Sequence, residues 1–370
     1  MTGLNKGGFR AGFFQRITES HKAVTHWRDS NYNMSRARRI VRHRNIPDFT
    51  RSGELLTTEY MKPAILIHGP TASGKSALSV ALAKRVGGEV INADSMQVYR
   101  DLRVISARPA AAEMDGVEHH LFGHVAASER YSTGKWLDAV KPIIAKVQRR
   151  GKVPIIIGGT GLYHLALTEG LSEIPPVPED VRAEVNETYK SGGVAALREK
   201  LEQVDRATAE RLGEGDRQRL SRALEVWLAT GKPISSFQGK KGRSILSEGE
   251  WLGVALTPGR ARLYSRIDRR FEGMLMEGAM EEARGLLAQN LPEDLPAMKA
   301  HGIPWLLAYL RGELSPEAAA ENAKRDTRRY AKRQFTWIGR QFPFWPRIPS
   351  LSIEDRLRVI HALYKEVDGG

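Results

Sequence analysis

The stretch Gly69-Pro70-Thr71-Ala72-Ser73-Gly74-Lys75-Ser76 matches the pattern G-x-x-x-x-G-K-[ST] at every defined position. It follows the apolar run Ala64-Ile65-Leu66-Ile67-His68. After it comes a segment, from about Lys75 to Arg85, whose Leu78, Leu82 and Ala83 share one helical face. Strand, glycine loop and helix in that order make a phosphate cradle. The glycines let backbone N–H groups close around phosphate oxygens, and the start of the helix adds positive potential. Lys75 brings a cation to the same group, and the Ser76 hydroxyl suits a Mg²⁺ ligand.

Working outward, Glu89-Val90-Ile91-Asn92 reads as a second strand that ends in Ala93-Asp94-Ser95. Residues 136–149 form an amphipathic helix, and Val153–Ile157 is a third strand ending in Gly158-Gly159-Thr160-Gly161. This alternation predicts a parallel sheet with its sites at the carboxyl edge. Past Leu171 the composition changes. Ile174-Pro175-Pro176-Val177-Pro178 is a proline-rich hinge, followed by roughly 70 charged, helix-favouring residues broken at Gly192-Gly193, Gly213 and Gly231-Lys232-Pro233. Strand character returns at Trp251–Leu256. One helix is predicted over 260–288, and the remainder is helical apart from Phe342–Pro349. The expected fold is α/β, a P-loop NTPase-like parallel sheet core with a helical insertion. The expected division is a basic extension at 1–60, a catalytic core at 61–172 and 251–350, an insertion at 173–250 and a C-terminal helix or tail at 351–370.

The chain's 57 Lys+Arg outnumber its 43 Asp+Glu, for a net charge of +14, which points to a polyanionic partner. It has no cysteine, so disulfides, thiolate metal sites and thiol catalysis are excluded. That fits a reducing cytosol, and a cytoplasmic location is expected. No apolar run approaches the ~20 residues of a membrane-spanning helix. Residues 1–60 carry Arg10, Arg16, Arg28, Arg36, Arg38, Arg39, Arg42, Arg44 and Arg51 with two lysines, against five acids. They lack the apolar centre of a secretory signal. Their composition resembles an organellar transit peptide, and the reading preferred is a poorly ordered basic extension. Met61, directly before the first strand, is a candidate start of the functional chain.

The loop alone does not name the chemistry. A motor or GTPase would add an apolar strand ending in Asp, whereas the third strand here ends in Gly158-Gly159-Thr160. A small-molecule kinase, or another transferase of a phosphate-bearing group, remains. Asp94 is placed to take a proton from an incoming nucleophile or to cap a helix. Thr160 is placed to bond a substrate or to serve its turn. Arg266 and Arg270, at i and i+4, stand beside the Leu263, Ile267, Phe271, Met274 stripe. They suit a clamp on a leaving phosphate, but the residues alone favour a solvated pair or one matched with an acid such as Glu272 or Glu282. In Arg325–Trp337, Arg325, Arg329 and Arg333 align at i+4 with Arg328 and Lys332 beside them, a plausible nucleic-acid surface. Tyr330 and Trp337 fit the core better than base stacking. His119, His120 and His124 lack the acid or Cys that would complete a zinc set.

Taken together, these segments resemble the tRNA dimethylallyltransferases (tRNA isopentenyltransferases). The resemblance rests on Gly69–Ser76, Asn92–Tyr99, Ile157–Tyr163, Asp216–Glu225 and Arg328–Trp337, with Arg266–Met274, and covers about residues 61–345. It implies transfer of a dimethylallyl group from dimethylallyl diphosphate to the exocyclic amine of the adenosine just 3′ of the anticodon. Asp94 would be the base or hydrogen-bond partner of that amine, with Thr160 on the same nucleotide. Lys75, Ser76 with Mg²⁺, the loop amides and Arg270 would hold the departing diphosphate. The flipped base would sit among Ser95, Met96 and Gln97. Arg182 with Gln218, Arg219, Leu220, Ser221 and Arg222 would grip the anticodon arm, alongside Arg325, Arg329 and Arg333. The expected partners are the tRNA and the diphosphate, with no membrane, and the enzyme is expected to act as a monomer. The family pattern is departed from at Phe122-Gly123-His124, where Asp-Pro is common, and at Gly302-Ile303, where Gly-Tyr is common.

Overall fold

The computed structural model describes residues 61–239, 242–349 and 352–369. The basic extension at 1–60 therefore lies outside the described residues, and Met61, the candidate start, is the first of them. The chain divides into two compact units. One runs to Leu165 and resumes at Leu246, and the other is Ala166–Ile245.

The first unit is built on a parallel sheet of β1 (Ala64–His68), β2 (Gly88–Asn92), β3 (His119–His120), β4 (Val153–Gly158), β5 (Trp251–Leu256) and β6 (Arg347–Ile348). Their order is β3-β2-β4-β1-β5-β6. Strands buried on both faces read as continuous apolar runs, and Ala64, Ile65, Leu66 and Ile67 of the central β1 are wholly buried. Register places His68 against Gly158 of β4 and Ala255 of β5, and Asn92 of β2 against Ile157 of β4.

Around this sheet run α1 (Lys75–Val86), α2 (Thr133–Arg149) and α3 (Gly161–Glu169), the last continuing into the second unit. The second unit's longer helices are α4 (Glu179–Val204) and α5 (Arg217–Thr230). In the first unit there follow α6 (Arg260–Met276), α7 (Ala279–Ala288), α8 (Ile303–Leu310), α9 (Pro316–Gln341) and α10 (Ile353–Asp368). The crossovers β1–α1–β2 and β3–α2–β4 run in opposite directions across the sheet. Right-handed connections therefore put α1 and α2 on opposite faces. Leu78 and Leu82 of α1 join Ile65, Ile67, Val90, Ile155 and Val254 in one cluster, which Val359, Ile360 and Leu363 of α10 complete. The segment read as a helix or tail is thus a helix with one face in the core. Burying side chains of this size is worth ~1.5–3 kcal/mol each.

A second cluster joins Val98, Tyr99, Leu102 and Ile105 to Phe271 and Met274 of α6, Leu286 of α7 and Ile303, Leu306 and Leu307 of α8. It anchors the loop after β2. The helix predicted over 260–288 is two helices, because Gly278 at φ 112° breaks it. Within Phe342–Pro349 lies the edge strand β6.

The second unit has its own core of Val185, Leu197 and Leu201 from α4 with Leu220, Ala223, Leu224 and Val226 from α5. Gly193, at φ 65° and ψ −153°, kinks α4, and Gly231 ends α5 in the left-handed region. The Gly242 N–H donates to the Leu171 carbonyl and the Ile245 N–H to that of Leu167, at 2.9 and 3.0 Å, tying the unit's two ends together.

Candidate active site

The loop Gly69–Ser76 leaves β1 and enters α1 through Ala72 at φ 60° and Gly74 at φ 83°. Its Lys75 Nζ donates to the carbonyls of Gly69 and Pro70 at 2.8 Å each, so the side chain folds back beneath the loop. A Cβ on Gly69 would lie 2.9 Å from the Leu256 Cβ, which keeps this position free of a side chain. Burial brings Lys75 down to about 8, with Asp94 opposing and Arg270 reinforcing that shift. The first N–H groups of α1 have no intrahelical acceptor and are left for an anion. Ser73 is buried and serves the loop through its backbone.

Arg270 reaches the loop from α6, donating through Nη2 to the Thr71 hydroxyl. Burial holds its pKa below the ordinary value, while Asp94 acts to raise it. Neither suggested acid is its partner. Glu272 pairs with Lys324 at 2.7 Å, and Glu282 accepts from the N–H groups of Arg103, Val104 and Ile105. Arg270 is therefore not one half of an ion pair with either acid, and its contact is with the loop.

Asp94 follows β2 in an Asx turn, its Oδ1 accepting from the Met96 N–H at 3.0 Å. The turn is fixed from below by Asn92. That side chain's Oδ1 accepts from the Asp94 N–H, and its Nδ2 donates to the Asp94 and Leu121 carbonyls. Trp136 donates to the Asn92 carbonyl at 2.9 Å and stacks on Tyr163. Asp94 Oδ2 lies beside Gly159, 3.3 Å from where a Cβ would stand. One carboxylate oxygen thus caps a turn rather than a helix, and the other lies beside the next strand's end.

Thr160 joins the two edges. Its Oγ1 accepts from the Ser95 N–H at 2.9 Å and donates to Ser95 Oγ at 3.2 Å. The glycines on either side of it are there for close approach. A Cβ on Gly158 would fall 1.9 Å from the Ala93 carbonyl oxygen, and one on Gly161 would fall 2.0 Å from Trp337 Nε1. Met96 packs against the cluster that anchors its loop. Gln97 is occupied within that loop, donating to the carbonyls of Ser106 and Ala107.

On α9 two faces separate. Arg325 and Arg329 are exposed, with Arg325 on Asn322 at 2.5 Å and Arg329 3.6 Å from Asp326. Arg333 is exposed and lies over the Tyr330 ring at 5.6 Å. Arg328 is spoken for by Asp268 and Glu321 at 2.7 and 2.9 Å. The inner face carries Tyr330, whose hydroxyl donates to the Gly159 carbonyl at 3.5 Å, and Gln334, which sequence reading passed over. Gln334 stands one turn beyond Tyr330, on the aromatic side rather than the arginine side, and that spacing was its only signal. His301 packs on Tyr330 at 4.2 Å. Burial and then Arg333 lower it to about 4, against the pull of Asp94 and Asp326.

Arg356 of α10 was missed altogether. It is buried, and its Nη1 donates to the Ser73 carbonyl at 3.0 Å. Of the three histidines set aside, His119 bonds the Val117 carbonyl, His120 bonds Glu89 and His124 bonds the Tyr131 hydroxyl.

The remaining predicted contacts lie on the helical unit. Gln218 and Arg219 are exposed, Arg219 pairing with Asp216 at 3.0 Å, while Ser221 and Arg222 are half-buried, with Arg222 3.5 Å from Glu225. Arg182 lies 3.6 Å from Glu179. Leu220 is a correction: its side chain is wholly buried in the unit's core, because an apolar residue at that helical position packs against α4.

Comparison with known proteins bears on this arrangement. Residues 97–341 match the family described as IPP transferase, and residues 62–130 match isopentenyl transferase. The tRNA dimethylallyltransferase of Hyphomonas neptunium is 65% identical over 308 residues, covering 83% of this chain and 98% of that protein. That of Bradyrhizobium sp. strain BTAi1 is 51% identical, covering 78% and 94%. Among solved structures, the tRNA isopentenylpyrophosphate transferase of Bacillus halodurans has 35% identity and a TM-score of 0.59, covering 83% of this chain and 98% of its own. A eukaryotic dimethylallyltransferase described as acting on tRNA has 29% identity and a TM-score of 0.67, covering 82% and 78%. These relatives decide between a prenyltransferase and a kinase. A phosphate loop facing an Asp-bearing strand end, on a chain this similar to them throughout its described core, shows that it belongs to the IPP transferase family of tRNA-modifying prenyltransferases.

Proposed function

We propose that the enzyme transfers the dimethylallyl group of dimethylallyl diphosphate to the exocyclic amine of the adenosine adjacent to the anticodon on its 3′ side, releasing diphosphate. The observation that supports this most directly is the placement of Asp94 and the loop at one carboxyl edge, where the Asp94 charge bears on both Lys75 and Arg270. The amine of adenine is a weak nucleophile, its lone pair drawn into the ring. Asp94 Oδ2 accepts a proton from it as the N–C bond forms and the allylic C–O bond breaks. Lys75, the free N–H groups of α1 and Arg270 take up the charge that develops on the leaving diphosphate. Thr160 and Ser95 hold the acceptor edge in register.

Mg²⁺ fits this site as a shared ligand. Ser76 offers a hydroxyl that no hydrogen bond among the described residues consumes, at the mouth of the loop. Mg²⁺ is commonly held by one or two protein oxygens and the substrate's phosphates. Ser76 would hold it, and the ion would neutralise charge on the diphosphate. The exposed arginines Arg325, Arg329 and Arg333 of α9, with Arg182, Gln218, Arg219, Ser221 and Arg222 of the helical unit, would meet the anticodon arm. Each chain carries both halves of the chemistry, in keeping with a monomer working in the cytoplasm.

The test is to incubate the protein with Mg²⁺, labelled dimethylallyl diphosphate and an unmodified tRNA whose anticodon ends in adenosine. Label is expected on the next adenosine. No label on tRNA, with phosphate passing from ATP to a small molecule, would overturn the proposal.

A further inference from the structure

One buried side chain ties the two halves of the site together. Gln334 is 4% exposed. Its Oε1 accepts from the Thr71 N–H of the phosphate loop at 2.9 Å, and its Nε2 donates to the Gly159 carbonyl at 2.8 Å. The partners lie 263 and 175 residues away in sequence. Gly159 is shaped for this contact, since a Cβ there would stand 2.2 Å from Gln334 Nε2. On the loop side, Thr71 is the residue whose hydroxyl also receives Arg270. On the strand side, Gly159 is followed directly by Thr160 and lies beside Asp94 Oδ2.

We infer that Gln334 is a positioning residue for the transfer reaction, fixing the diphosphate loop against the edge that carries Asp94 and Thr160. The inference rests on the proposed function, since it assigns those two edges to leaving group and acceptor. The chemistry of the joint calls for one acceptor and one donor at the end of a side chain of this length. Glutamine supplies both. Glutamate would keep the acceptor for Thr71 but set a second carboxylate oxygen against the Gly159 carbonyl. Asparagine falls a methylene short. Methionine matches the volume and makes neither bond. A displacement near 1 Å between reacting groups costs on the order of 10²-fold in rate, so a joint that sets their separation is felt in turnover.

The pH behaviour of Gln334→Glu separates positioning from bulk stability. Protonated, its carboxyl group again donates to Gly159 while accepting from Thr71, restoring the joint. Wild type, Gln334→Met and Gln334→Glu would be assayed for prenyl transfer to tRNA across about pH 5.5–8.5, and for binding of inorganic diphosphate with Mg²⁺ by calorimetry. Gln334→Met is expected to lose roughly 10- to 100-fold in kcat and to bind diphosphate severalfold more weakly. The rate of Gln334→Glu divided by that of wild type should rise severalfold as pH falls. A flat ratio, or a Gln334→Met enzyme with wild-type kcat and diphosphate affinity, would overturn the inference. An inactive wild type would count against the proposed function, and the calorimetry would still judge Gln334.

Discussion

The guanidinium of Arg356 hydrogen-bonds the carbonyl of Ser73 at 3.0 Å across 283 residues of sequence. A C-terminal helix thereby supports the phosphate loop from behind, and the loop's conformation depends on a segment outside its own motif. Substituting Arg356→Met would leave the Ser73 carbonyl without that donor, at a cost of ~1–3 kcal/mol. The denaturation midpoint should fall accordingly, and the KM for dimethylallyl diphosphate should rise with kcat less affected.

Asp94 both caps a turn and faces the acceptor edge, and the two duties can be separated. Asp94→Asn keeps an oxygen for the Met96 N–H but cannot accept a proton. Turnover should drop by roughly 10²-fold or more while the melting temperature stays near wild type. Asp94→Ala should lose both. Near-normal turnover of the asparagine variant in a single-turnover assay would reduce Asp94 to a turn residue.

Two neighbouring arginines on α9 should behave differently. Arg329 is exposed with one long contact to Asp326, whereas Arg328 is held by Asp268 and Glu321. Arg329→Ala should weaken tRNA binding and lower the slope of log K against log salt by about 1. Arg328→Ala should chiefly lower stability and leave that slope in place. Filter binding at several salt concentrations distinguishes them.

The lowered pKa of Lys75 gives diphosphate binding a pH dependence. Burial, the largest cause, brings the ammonium to about 8 in the unliganded enzyme, and a bound diphosphate would draw it upward. Above pH 8 binding must then take up a proton, so KM should rise towards tenfold per pH unit and be level below pH 8 with respect to this group. For folding, the sign is the reverse of a stabilised cation. The unfolded chain, near 10.5, holds the proton more tightly, so the contribution to stability improves from pH 8 towards 10.5.

Gly158→Ala should be among the most damaging single-methyl additions in the protein. The new Cβ would fall 1.9 Å from the Ala93 carbonyl oxygen, on backbone that has no rotamer to yield. Overpacking of this kind costs ~1–3 kcal/mol or more. A lowered unfolding midpoint is expected, together with reduced turnover, because Ala93 precedes Asp94 and its carbonyl accepts from the Thr160 N–H.

Much of this site was legible because its local chemistry is sequential. Loop, strand and helix around Gly69–Ser76 follow one another, and Asp94 and Thr160 each end an apolar run. What stayed hidden depends on partners distant in sequence. Gly158, Gly159 and Gly161 read as turn glycines, yet their reasons are Ala93, Gln334 and Trp337. Gln334 and Arg356 touch the loop from helices whose apolar periodicity says which face is buried but not against what. The edge strands β3 and β6 are two residues each, too short for any period to register. Leu220 sat within a matching segment, and only its burial tells the packing residue from its exposed neighbours.

The strand order has a further consequence. Because β4 lies between β2 and β1, the backbones bearing Asp94 and the loop stand two strand spacings apart, about 10 Å. Had those strands been neighbours, a carboxylate and an ammonium at their ends would have met and neutralised each other. With β4 interposed, Lys75 turns to the Gly69 and Pro70 carbonyls, and Asp94 to its own turn. The intervening strand is a spacer that holds carboxylate and ammonium apart, and in the proposed reaction the gap between them is where the substrate would sit.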